Sequence, residues 1–326
     1  MNRVRNLLSI FGGIAFVMII LDSKLTLEGA QTGMDLCIRT VIPALFPFVV
    51  LSTLLSVSTV PCSQLIRTAA GFLGIPADAS TVLIPAFLGG YPVGAKCVYT
   101  LYCTGRIEKS QAERLLTFCS NAGPSFLFGI VSGCFTKPET AWVLWLIHIV
   151  ASILTAISIP EIKPICPDKA KNTAIREETD ILLSSIKAMG VICGWVILFR
   201  VLITFLQKWC LWLLPQWLQV LTTGLLEITN GCCELLLVGN EKQRFVLCSC
   251  LLSFGGICVL MQTVSVTKGL SILGYLVGKI MQTGFSLLLS LAVILKNGWL
   301  LFVTAAISMV FRKIQKNSGN LKLIPV

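Results

Sequence analysis

Lys96 stands directly behind the run Gly89-Gly90-Tyr91-Pro92-Val93-Gly94-Ala95, which breaks an apolar stretch spanning 80–104. A second apolar stretch, 211–236, is interrupted by Glu227 with Thr229 and Asn230. In an apolar setting these residue types point to recognition of a solute. An ammonium holds a carboxylate, backbone freed by Gly and Pro turns to a ligand, and hydroxyl and amide groups hydrogen-bond it. Freed N–H and C=O groups are costly in hydrocarbon, so broken segments persist where they line a cavity. The candidates in the first stretch are Gly90, Tyr91, Gly94 and Lys96. Asn121 and Ser125 join them, because Pro124 removes a backbone donor and leaves a gap beside two polar side chains. In the second stretch the candidates are Thr229, Asn230 and Glu227, the last as a gate or coupling group.

Other polar residues have plainer explanations. Arg39 and Lys187 sit near span ends, where long side chains reach the interface, whereas Arg200 and Lys279 lie deeper and can meet a structural partner such as Glu227. His148, alone among Trp142, Trp145 and aliphatic residues, reads as packed or interfacial rather than as a proton relay. Gly255-Gly256 is explained at least as well by close helix packing as by a ligand. Ser110 and Glu113 have the spacing of a helix-capping box.

The elements that must position these groups are membrane helices. Of 326 residues, 55% are hydrophobic and only 13% charged, with mean hydropathy +0.86, too little polar surface for a soluble globule. The fold class expected is an all-α polytopic membrane protein of about eight spans plus two re-entrant hairpins. Spans of roughly 20 apolar residues fall near 8–21, 36–58, 115–135, 140–160, 183–206, 245–264, 270–295 and 297–311. The first is kept as an anchor, since no convincing cleavage site follows Leu21. The net charge of +11 is scattered among loops, which argues against a nucleic-acid partner. Most cysteines stand singly in apolar segments, so neither a disulfide framework nor a metal site is expected. No nucleophile elbow, HExxH or phosphate loop is present, and the chain is not expected to be an enzyme.

Basic loop residues fix the topology. If both broken stretches enter and leave on one face, then Arg3, Arg67, Arg106, Lys169 and Arg312 belong to a cytoplasmic majority. Lys24, Lys137, Lys208, Lys242, Arg244 and Lys296 lie outside. Both termini are then cytoplasmic, and two inverted repeats emerge. The domains expected are an anchor over 1–33, a first repeat over 34–160, a linker over 161–180, a second repeat over 181–295, and a last span with a basic tail over 296–326.

The runs Gly90-Tyr91-Pro92-Val93-Gly94-Ala95-Lys96, Ala112-Glu113-Arg114-Leu115-Leu116, Asn121-Ala122-Gly123-Pro124 and Gly224-Leu225-Leu226-Glu227-Ile228-Thr229-Asn230-Gly231 resemble the YlbJ/SpoVV family of sporulation integral membrane proteins, within the wider nucleoside-recognition, or Gate, domain group. The resemblance implies a core similar to concentrative nucleoside transporters. It also implies a role in moving dipicolinic acid from the mother cell across the outer forespore membrane. Intramembrane cations suit such an anion better than a neutral nucleoside. Nucleoside or other neutral solute transport, and a non-transporting sporulation scaffold, remain the alternatives. The expected partners are a small solute and membrane lipids. No cofactor is expected, the coupling ion, H+ or Na+, is open, and so is the oligomeric state.

Overall fold

The computed structural model describes residues 13, 19–57, 63–160 and 181–317. Of the anchor span expected at 8–21, residues 8–12 and 14–18 lie outside the described residues, as do the linker at 161–180 and the tail beyond 317. Everything described is helix or connection, with no strand among the described residues. Five helices are long and apolar enough to cross a membrane, six if one bent pair counts as a span. The chain is a multi-pass membrane protein.

Helices α1 (Ser23–Leu36) and α2 (Ile42–Val57) run on through a π-helical turn at Cys37–Val41. Pro43 and Pro47 cannot donate to the helical ladder, and the turn just upstream widens to absorb the mismatch. The span expected at 36–58 therefore begins at Ser23, and the boundary expected at 33/34 falls inside a continuous helix. Lys24, Glu28 and Asp35 lower the local hydropathy without breaking the helix. Gly29 and Gly33 set α1 against α9 (Ile181–Trp209): a methyl on either would lie 2.9 Å from the backbone of Val201 or Ile197. At the shared end, Lys208 bonds Asp22 at 2.5 Å and holds its carboxyl below the usual carboxylate range.

Helix α3 (Gln64–Phe72) turns by 100° into the segment Ala77–Leu88, which ends as α4 (Leu83–Leu88). A break at Gly89–Pro92 follows, then α5 (Val93–Cys103) and α6 (Lys109–Leu116). The cap of α6 is Glu108 with Gln111, not Ser110 with Glu113. The helix starts two residues earlier than the Ser-x-x-Glu spacing suggests, which frees Glu113 to accept from the Ser271 amide at 2.7 Å.

The stretch 115–135 is not one helix. Residues 117–123 are non-helical, and α7 (Pro124–Gly129) restarts with proline in its first turn. Next come α8 (Glu139–Ser158), α10 (Gln216–Leu226), α11 (Ile228–Cys233), α12 (Glu241–Phe254), α13 (Gly256–Val266), α14 (Leu273–Ile294) and α15 (Trp299–Asn317). At one end of α8, Thr136 meets Glu241 and Arg244 meets the Cys134 carbonyl. At its other end, Arg114 gathers the carbonyls of Gly74 and Pro160. Loops that charge counting assigns to one face thus come together at one end of the bundle.

Candidate functional site

Both interrupted stretches fold back on themselves. Residues eight apart in a continuous helix are about 12 Å apart, yet a methyl on Gly94 would lie 3.1 Å from Ala86 Cα. In the second stretch a methyl on Gly231 would lie 2.2 Å from Gly224 Cα. Glycine permits each hairpin to close. The base of the first hairpin lies at the Arg114 end of the bundle. That of the second lies at the opposite end, where Gln207 donates to Glu234 at 2.7 Å. The tips point toward each other.

Each tip rests on a broken helix. Gly90, at φ +77°, packs on Gly123, where a methyl would lie 3.0 Å from Gly90 Cα. Across the molecule, α12 ends at Gly255 and α13 begins at Gly256, with φ +82° and +86°. A methyl on Gly256 would lie 3.0 Å from the Gly224 carbonyl oxygen and 3.4 Å from Ile228 N, beside the second tip. Positive φ is what glycine allows at no steric cost, so the Gly255-Gly256 pair marks a backbone break and not only a packing surface.

The two breaks are tied by a buried polar network whose directions can be read bond by bond. Asn121 Nδ2 donates to the carbonyls of Ala86 (3.0 Å) and Phe118 (2.8 Å), so its Oδ1 accepts from Gln282 Nε2 at 2.9 Å. Gln282 Oε1 then faces Lys279 Nζ at 2.7 Å. Lys279 also donates to the Ser120 carbonyl and to Tyr91 Oη at 3.1 Å. Tyr91 in turn donates to the Leu252 carbonyl at 3.1 Å, one of the carbonyls left over at the end of α12. His148 Nε2 accepts from the Ala122 amide at 3.1 Å, so its proton sits on Nδ1, 3.2 Å from Ser253 Oγ. His148 is therefore neutral and structural: it stitches the first break to the second. Lys279 is only 1% exposed.

Between the tips lies a cavity of about 40 Å³, room for roughly three waters. Its polar walls are Tyr91, Glu227, Thr229 and Gln262, and its apolar walls include Val41, Phe126, Val196 and Val259. Glu227 is 1% exposed and caps α11, with Oε1 accepting from Thr229 N at 3.1 Å. Its Oε2 accepts from Asn230 N at 2.7 Å and from Asn230 Nδ2 at 2.6 Å. Asn230 Oδ1 accepts from Arg200 at 3.2 Å, and Arg200 is 3.7 Å from Glu234. The Arg200 cation is thus linked through one amide to the carboxylate in the cavity.

Of the residues singled out in the sequence, Tyr91, Glu227 and Thr229 meet at this cavity. Gly90 and Asn121 stand at the first break behind it, and Gly94 lies inside the hairpin against Cys119. Asn230 supports Glu227. Ser125 instead bonds the Ala44 carbonyl at 2.8 Å, and Lys96 turns outward to Thr53 Oγ1 at 3.5 Å. The cation beside the cavity wall is Lys279, one helical turn from Tyr275 and from Gln282 on one face of α14. That spacing of polar groups in an apolar helix was the available sign. Because Lys96 leaves the cavity, Lys96→Ala is expected to keep solute affinity within twofold of wild type, measured by equilibrium binding on purified protein.

Comparison with known proteins adds a relative. The chain is 25% identical over an alignment of 304 residues to the sporulation integral membrane protein YlbJ of Bacillus subtilis strain 168, covering 76% of this chain and 72% of that protein. No family model matches the chain, and no solved structure does. With the likeness sustained over about three quarters of either chain, this multi-pass membrane protein is similar to the sporulation integral membrane protein YlbJ.

Proposed function

We propose that the chain is a transporter of a small anionic solute, dipicolinic acid by the family resemblance, with its site between the tips at Gly90–Tyr91 and Glu227–Thr229. One observation carries the reading: both hairpin tips and the first helix break line a single cavity, the arrangement in which broken helices survive within a membrane. On this reading the hairpins are re-entrant, the halves are inverted repeats, and a sporulating cell's forespore membrane is the site of action. The cavity is too small for an aromatic dicarboxylate, so on this reading loading requires the tips to part.

Charge supports an anion. The carboxylate of Glu227 is already met by three N–H donors, whereas Lys279, behind the Tyr91 wall, has no carboxylate partner among the described residues. A buried ammonium without a counter-charge is costly, and an anionic solute in the cavity offsets that cost. The expected result in proteoliposomes is saturable uptake of labelled dipicolinate, reduced at least tenfold by Glu227→Gln. That change keeps the volume but turns an amide toward the donors of Asn230. Binding of nucleosides with no response to dipicolinate would replace this reading with neutral-solute transport, and binding of neither would favour a scaffold.

A further inference from the structure

We infer that Lys279 is a tethered cation filling a coupling-ion site at the first helix break, so that the protein works without a metal cation. The inference rests on the transporter reading, but its first test does not. Nζ has three oxygen neighbours, the Ser120 carbonyl, Gln282 Oε1 and Tyr91 Oη. All three can only accept. Ser120 offers a carbonyl, the Gln282 amide is oriented by Asn121, and the Tyr91 proton is committed to Leu252. Three acceptors require three donors, which only the ammonium form supplies. The rings of Tyr91 and Tyr275, with centroids 4.9 and 5.7 Å away, face the same charge.

The position matters as much as the charge. Carbonyls freed at the end of a broken half-helix, such as that of Ser120, are the groups that hold Na+ in carriers of discontinuous-helix design. Here a side chain of α14 supplies the positive charge. The same ammonium holds Tyr91, which walls the cavity and caps α12. The fixed cation therefore bridges the first hairpin tip, both breaks and α14. If Lys279 is shortened, its three oxygen neighbours become available to a small cation.

The test is thermal unfolding of the detergent-purified full chain in sodium, ammonium or N-methylglucamine chloride. Wild type is expected to unfold within about 1 °C in all three. Lys279→Ala is expected to unfold at least roughly 5 °C lower in N-methylglucamine and to recover half or more of that loss in sodium or ammonium. Lys279→Met, whose side chain fills the slot, should ignore the cation. Sodium stabilisation of wild type would overturn the inference, as would a folded Lys279→Ala protein indifferent to every cation. Should Lys279→Ala fold in no salt, the wild-type comparison decides. Wild-type dipicolinate uptake should be equal with and without sodium, and a fivefold loss without it would overturn the tethered-cation role. Absence of uptake in every buffer would remove the transporter reading and leave the unfolding result to decide this one.

Discussion

Gly94→Ala and Gly278→Ala will each leave little or no monodisperse protein after solubilisation, while Gly284→Ala will behave as wild type. The three changes are chemically the same, so the contrast isolates geometry. A methyl on Gly94 would lie 1.8 Å from the Cys119 carbonyl oxygen, and one on Gly278 would lie 2.1 Å from that of Thr117. No rotamer relieves either contact, since both partners are backbone. The carbonyls belong to the non-helical segment 117–123, held between α5 on one side and α14 on the other. Moving it by the ångström or more required would displace Ser120, Asn121 and Ala122 from Lys279, Gln282 and His148 together. A loss of about 4 kcal/mol or more, at the extreme of single substitutions, is expected. Gly284 lies on the same helix as Gly278 with nothing within 4 Å of an added methyl. Fluorescence-detected size exclusion and thermal unfolding check the pair against the control, and a well-folded Gly94→Ala protein would show that the segment is loosely held.

Arg114→Lys is expected to lower stability by about 2–4 kcal/mol despite conserving the charge. Arg114 is 4% exposed, and its guanidinium reaches several helix-terminal carbonyls at once. Nη1 donates to Gly74 O and Nη2 to Leu73 O, each at 2.9 Å, at the bend after α3. Nε donates to Pro160 O at 2.9 Å, beyond the end of α8. Carbonyls at helix C-termini carry partial negative charge and lack partners of their own. A planar fork serves both groups at once, whereas an ammonium donates from a single point. At least two carbonyls then lose their donor, at about 1–3 kcal/mol each when buried. Thermal or denaturant unfolding in detergent measures the loss. An unchanged midpoint would mean that the fork is not needed.

The membrane class and the two interruptions were legible because they depend on local composition. Apolar runs of sufficient length announce helices, and Gly, Pro and charge inside them announce breaks. The start of α1 was not legible, because charged residues at a helix end lower hydropathy without destroying the helix. Lys96 drew attention through its place in sequence beside a break, yet helical rotation turns it from the cavity toward Thr53. Lys279 was visible only as one of several deep cations. The partners that define it, Ser120 and Tyr91, are far away in sequence. Arg114 stood out only as part of a motif, and its partners Leu73, Gly74 and Pro160 are likewise far away in sequence.

What the sequence determined by itself is therefore the helical membrane class and where two apolar stretches are interrupted. Hydropathy and backbone preference act within a few residues and need no partner. Which side chains meet was decided by tertiary structure alone. Helix rotation, the closure of each hairpin on small glycines, and the direction of every hydrogen bond around Lys279 arise from contacts between distant segments. Only when all of them are in place does one cation among several become the charge beside the cavity.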